Sequence, residues 1–159
     1  MTAKFTVLGN QVLTTSAASI TFSSIPGGHK DLVLIIEEKP ASGTTNYQLR
    51  FNGDTGSNYS GLLAYGDGTS AASFTTTTLN LMAYGGDSSM KALVKAQIQD
   101  YSATDKHKTV LARADRANQV SSMMAGRWAS TSAITSLEIR TTTADNYGVG
   151  STFRLLGVN

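Results

Sequence analysis

Apolar and polar residues alternate with a period of two through most of the chain, and that pattern predicts strands. The clearest segment is 90–99, where Met90, Ala92, Val94, Ala96 and Ile98 fall on one side. Lys91, Lys95, Gln97 and Gln99 fall on the other, with Leu93 as the exception. Ile20 and Phe22 alternate with Thr21 and Ser23, and Leu49 and Phe51 with Gln48 and Arg50. The run DLVLIIEE, Asp31 to Glu38, is apolar on both sides, as expected of a central strand covered on both faces. FTTTTLNLMAY, beginning at Phe74, is hydroxyl-rich and then apolar at Leu79 and Leu81. Further strands are expected at 107–113, 119–128, 133–141 and 151–157.

Turn signals separate these segments: Pro26-Gly27-Gly28, Asn52-Gly53, Tyr65-Gly66-Asp67-Gly68, Gly85-Gly86-Asp87 and Asp145-Asn146-Tyr147-Gly148. Short spacing with hardly any 3.6-residue periodicity predicts an all-β fold: a single-domain antiparallel β-sandwich, jelly-roll-like, of about eight to ten strands. DRANQ, 115–119, has room for one helical turn. Residues 1–159 read as one domain, with 1–14 as an N-terminal arm able to add a strand to a neighbour. Gly-Asp recurs at 53–54, 66–67 and 86–87, but its flanks do not repeat, so it is shared turn chemistry and not a duplicated module.

Composition sharpens the picture. Only 15% of residues are charged, and polarity comes instead from 21 Thr and 18 Ser. β-Branched Thr suits a pleated surface. The absence of cysteine removes disulfides, thiolate metal sites and thiol nucleophiles together. A net charge of +2 with no basic run argues against nucleic acid as a partner. The longest apolar run, Leu32 to Ile36, is too short to span a bilayer, and the start MTAKFTVLGNQVL does not read as a signal peptide. Synthesis in a cytoplasm, with retention there or release with the cell, is the expectation. Without an export signal, the sequon Asn58-Tyr59-Ser60 carries no weight.

The most distinctive stretch is RFNGDTGSNYS, Arg50 to Ser60. Asn52-Gly53 supplies the positive φ angles of a tight hairpin turn, while Asp54, Ser57 and Asn58 can fold onto nearby backbone N–H groups. Asn52, Asp54 and Asn58 also offer oxygens suited to calcium, but the closing glutamate of an EF-hand is missing, so no metal is expected. His29 and His107 lack the partner that a general base needs. No serine lies in a Gly-x-Ser-x-Gly elbow. Glu37 and Glu38 point to opposite faces of a strand. A carboxylate pair would have to be assembled from distant residues, such as Glu38 with Asp54 or Glu138. PGGHK lacks the spacing of a phosphate loop. No catalytic motif and no cofactor are expected, and the protein reads as a non-enzyme.

Aromatic residues are the remaining candidates. Met124, Gly126 and Trp128 share one strand face, and Met123, Ala125 and Arg127 the other. Facing inward, Trp128 is a core anchor, the reading that burial statistics favour. Facing outward with Arg127 nearby, it is a hot spot for a protein or a platform for a sugar. Tyr59, Tyr65 and Tyr84 lie close to Gly-rich turns, where tyrosine offers a rigid contact surface. The expected interface is therefore Asn52, Asp54, Asn58, Tyr59, Tyr65, Tyr84, Arg127 and Trp128.

SITFSSIP, DLVLIIEE, LRFNGDTGSNYS and STFRLLGVN, in that order between Ser19 and Val158, resemble segments of small β-sandwich virion proteins of tailed bacteriophages. That resemblance implies a structural protein of the virion, synthesised in the host cytoplasm. Its implied role is capsid decoration (a cement protein) that binds the major capsid protein or another virion protein as a homo-oligomer, with a trimer expected. The alternative is a tail-fibre or receptor-binding module that recognises a host glycan. A short chain with an initiator Met and no heptad repeat favours decoration.

Overall fold

The computed structural model describes residues 4–81, 86–87, 90–117 and 119–159. Its strands are β1 (Phe5–Val12), β2 (Ser19–Phe22), β3 (Asp31–Glu38), β4 (Thr44–Thr45), β5 (Gln48–Phe51), β6 (Tyr59–Gly66) and β7 (Ala71–Thr76). They continue as β8 (Leu79–Asn80), β9 (Gly86–Asp87), β10 (Ala92–Gln99), β11 (Lys108–Arg116), β12 (Val120–Trp128), β13 (Leu137–Arg140) and β14 (Thr152–Val158). No helix occurs among the described residues. Eight strands form one antiparallel sheet in the order β1-β14-β3-β10-β11-β12-β6-β7, and four form a second in the order β2-β13-β5-β8. A two-residue ribbon, β4-β9, completes the set.

The expected all-β sandwich is what the chain forms. Its division into eight and four strands does not establish a jelly roll, and the strand number exceeds the expectation because several pieces are only two to four residues long. FTTTTLNLMAY does not make one strand: β7 stays in the large sheet and β8 crosses to the small one. Of DRANQ, Asp115 and Arg116 belong to β11 and Gln119 N–H donates to Arg116 O at 3.1 Å at the β11–β12 connection, while Asn118 lies outside the described residues.

The N-terminal segment is not a free arm. β1 pairs antiparallel with β14 of its own chain, from Phe5 opposite Val158 to Val12 opposite Thr152. Leu8 is the extra residue of a bulge between Val7 and Gly9, and the half-buried positions shift parity there, from Thr6 and Leu8 before it to Gly9 and Gln11 after it. Gly9 is required there by close approach, since a Cβ would lie 2.5 Å from the Phe22 ring of the opposite sheet.

Alternation decides what is buried. Ala92, Val94, Ala96 and Ile98 of β10 face the small sheet, as do Val110, Ala112 and Ala114 of β11 and Met124 and Trp128 of β12. Ile20, Phe22, Leu49, Phe51, Leu137 and Ile139 meet them from the small sheet. Four short strands cannot cover eight, so residues outside the strands fill the margins: Ile25, Tyr47, Leu81, Tyr101, Ile134 and Tyr147 are all buried. Tyr47 and Tyr147 stack with centroids 5.9 Å apart and planes 2° from parallel.

One expectation about cover is reversed. β3 is central in the large sheet, yet its apolar outer residues face no second layer among the described elements. Val33 is shielded by its cross-strand neighbours Leu156 and Gln97, and Ile35 stays half-buried.

Replacing Gly9 with Ala tests the close approach between sheets. The added methyl must displace the Phe22 ring, so urea denaturation should show a loss of about 1–3 kcal/mol, as overpacking of a filled core costs. An unchanged midpoint would show that β1 and β2 are not held at the described separation.

Candidate functional site

The Asn52–Ser60 loop is built by side chains that satisfy backbone, and this decides what it can do. Asn52 and Gly53 have φ of 52° and 67°, and Asp54 N–H donates to Phe51 O at 2.9 Å, as in a turn of the expected kind. The turn does not join paired strands, however. β5 belongs to the small sheet and β6 to the large one, so the loop carries the chain between layers.

The candidate oxygens of Asn52 and Asp54 are engaged, and Asn58 enters the network through its amide N–H. Asn52 Oδ1 accepts Thr135 N–H at 2.9 Å and Ser136 N–H at 3.1 Å, while its amide donates to Ala133 O at 2.8 Å. Asp54 Oδ1 accepts Gly56 N–H at 2.8 Å. Asp54 Oδ2 accepts the Trp128 indole N–H at 2.6 Å and the Asn58 amide at 2.9 Å. A cation would have to displace these donors. Among the described residues, no three His, Asp or Glu side chains converge on a metal position.

Trp128 is 3% exposed and packs on Phe51 with ring centroids 5.5 Å apart, so it is the core anchor of the inward reading. Arg127, its neighbour on β12, necessarily points to the opposite face, and the two form no pair. Tyr59 is also withdrawn: its ring is buried, its hydroxyl donates to Asp54 O and it accepts Phe51 N–H, both at 3.1 Å. Tyr65 is half-buried against the core. Tyr84 lies outside the described residues. Of the expected interface, Asn52, Asn58 and Arg127 remain exposed, and the loop knits the layers together around Trp128. Lys108, opposite Trp128 in register, is fully buried and donates to Lys106 O at 2.9 Å and Thr131 O at 3.4 Å. Burial pushes its ammonium pKa down.

The carboxylates considered as a distant pair are dispersed. Glu38 closes β3 and sits opposite Ala92, at the end of the sandwich where β12 starts with Val120. Asp54 binds Trp128 at the far end of β12, roughly 25 Å away along the strand direction at the usual rise per residue. Glu138 lies in β13 of the small sheet.

Glu38 has its own environment. It is fully buried, and Oε2 accepts the Tyr47 hydroxyl and, at 3.0 Å, the Thr45 hydroxyl, while Oε1 has no hydrogen-bond partner within normal distance among the described residues. Burial raises its pKa, against the lowering effect of Tyr47 and Thr45. The histidines are peripheral: His29 Nδ1 hydrogen-bonds Asn159 Oδ1 at 3.0 Å, and His107 is exposed.

The surface that sequence reasoning missed is the outer face of the large sheet. Leu62, Leu93, Leu111 and Met123 are 51, 52, 45 and 64% exposed, and they line one open depression of about 770 Å³. Register makes it continuous. Gln97, Leu111, Ala125 and Leu62 form one cross-strand row, and Lys95, Arg113, Met123 and Ala64 the next. Leu93, the exception on the polar side of 90–99, was the visible signal. The same test applied to Leu111 and Met123 on the strands beside it would have found the rest. No family model, curated protein or solved structure matches the chain.

Two titrations separate the ends of the sandwich. The Trp128 N–H, then the Asn58 amide and Gly56 N–H, hold Asp54 below the ordinary carboxylate pKa. Its contribution is present above the unfolded pKa and lost as pH falls through the folded one. Asp54→Asn should cost on the order of 1 kcal/mol at pH 7, discounted for partial exposure, and the gap from native should close in acid melts. A gap independent of pH would refute the ionised network.

Glu38 has the opposite sign. A raised folded pKa favours folding below the unfolded pKa, and that advantage disappears as pH rises through the folded value. Glu38→Gln cannot ionise, so its melting temperature relative to native should climb with pH above the ordinary glutamate range. A constant difference across that range would mean that Glu38 titrates normally.

Proposed function

We propose that this protein is a non-catalytic assembly module that docks on a larger protein structure through the outer face of its eight-stranded sheet. The observation that carries this reading is the group of exposed Leu62, Leu111 and Met123 in two adjacent cross-strand rows, on a broad sheet whose other face packs against the small sheet through β3, β10, β11 and β12. Contiguous apolar surface on a folded protein is costly to leave in water and marks contact sites. Withdrawal of Tyr59 and Trp128 into the core leaves the glycan-binding alternative with less support than docking.

The narrower form of the proposal is a decoration protein on the head of a tailed phage, present in many copies and contacting the major capsid protein. The resemblance of the four segments to small virion β-sandwich proteins supports that form. So does the architecture: a hydroxyl-rich exterior and a sandwich closed at one end by the Asp54–Trp128 network make a stiff module without need of a ligand.

A double replacement, Leu62→Thr with Met123→Thr, keeps β-forming residues while removing apolar contact area. Purified protein should co-sediment with empty heads, and the double variant should lose that association at least about tenfold with its melting temperature little changed. Retained association, or only a few copies per particle confined to the tail tip, would refute the decoration role.

A further inference from the structure

Resting on the reading that the outer sheet face docks, the geometry points to its occupant: a protein segment with an apolar face flanked by carboxylates, and not a second copy of this chain. Charge on the face is asymmetric in what remains available. Its carboxylates are already engaged. Glu37 is held by Lys91 at 2.6 Å, and Asp115 by Arg113 at 3.2 Å and the Ser121 hydroxyl at 2.6 Å. Asp31 accepts the Gln97 amide at 2.8 Å and Asp100 N–H at 2.9 Å.

Lys91 and Arg113 are taken up in those pairs, but Arg154 and Lys95 are not matched in the same way. Arg154, Ile35, Lys95, Arg113 and Met123 stand opposite one another in a single row across five strands. Within it, Arg154 donates to the neutral Asn10 side chain at 3.3 Å and has no carboxylate within ion-pair distance among the described residues. Lys95 is exposed, has no carboxylate among the described residues within ion-pair distance, and lines the depression beside Leu93 and Leu111. An arriving carboxylate therefore meets an ammonium with no competing anion. A second copy would bring the same unmatched Lys95 and Arg154 and carboxylates already taken, placing like charges together as the apolar surfaces closed.

The apolar part of the occupant follows from the same row. Met123 stands beside Arg113, and Leu111 and Leu62 lie one row over, so apolar and cationic positions are about two residues apart along β10 (Leu93 and Lys95) and β11 (Leu111 and Arg113). An amphipathic helix with leucine on one face and glutamate along its border fits that alternation, and the shallow concavity of the sheet gives it a seat. Methionine, being unbranched and polarisable, lets the contact adjust.

The experiment titrates the whole protein, methyl-labelled at methionine and leucine, with two short synthetic amphipathic helical peptides. One is leucine and glutamate, and the other leucine and lysine. The leucine–glutamate peptide should shift Met123, Leu62, Leu93 and Leu111 and bind at least about tenfold more tightly than its lysine counterpart. Raising salt should weaken it. Lys95→Glu should abolish that preference. If that variant does not fold, Lys95→Gln serves, and it should reduce both the preference and its salt dependence.

Equal binding of the two peptides at these methyls would overturn the acidic occupant while leaving the docking face intact. Binding of neither peptide would overturn both readings. Concentration-dependent shifts of the same methyls without peptide would assign the face to a second copy and overturn this inference alone.

Discussion

Burial of one face of an eight-stranded sheet by a sheet of only four strands is the constraint from which the rest follows. Hydrophobic burial is non-directional, but cover by strands is not, because each strand shields only the width it occupies. The small sheet reaches both flanks by close approaches at Gly9 beneath Phe22 and Gly126 beneath Leu79. Elsewhere the seal comes from the connections: Tyr47, Tyr101 and Tyr147 enter the core from outside the strands. Tyrosine can do this because a hydroxyl at the margin still finds a partner, as Tyr147 does in Asn46 O at 2.9 Å.

Polar groups drawn inside by that closure are handled differently at the two ends. Around Trp128, an ionised Asp54 gathers the indole, an amide and a backbone N–H, so charge and hydrogen bonds reinforce each other. At the other end, Glu38 has one oxygen satisfied by two hydroxyls and one without a hydrogen-bond partner among the described residues. An unpaired oxygen in the interior is costly for a carboxylate and less so for a neutral carboxyl, which is the physical origin of its raised pKa. One end is thus favoured by ionisation and the other opposed by it, and the molecule's stability depends on pH through both.

The face left outside breaks the usual division between covered and solvated sides. A large sheet with one covered face ordinarily turns polar residues outward. Here Leu62, Leu93, Leu111 and Met123 interrupt that rule on four adjacent strands. The sheet's edges are β1 and β7, and the β1 bulge breaks the regular spacing that edge-to-edge pairing uses.

Strand identity was largely legible in the chain, because period-two alternation is a local property and one register error would reverse every buried residue. The segments around Ile20, Leu49, Val94 and Met124 form strands with the inward sides that alternation assigned. Layer assignment was not legible. Asn52-Gly53 has the same local φ angles whether it closes a hairpin or passes the chain between sheets, and only the pairing of β5 with β13 and β6 with β12 decides. For the same reason DLVLIIEE read as covered on both sides, although its outer face has no second layer among the described elements. The sequence by itself determined which residues alternate and where the chain must turn, since those depend on neighbours in the chain. Tertiary structure alone decided that Tyr59 and Trp128 go in and that Leu111 and Met123 lie side by side outside, because cover and adjacency depend on strands brought together from distant parts of the chain.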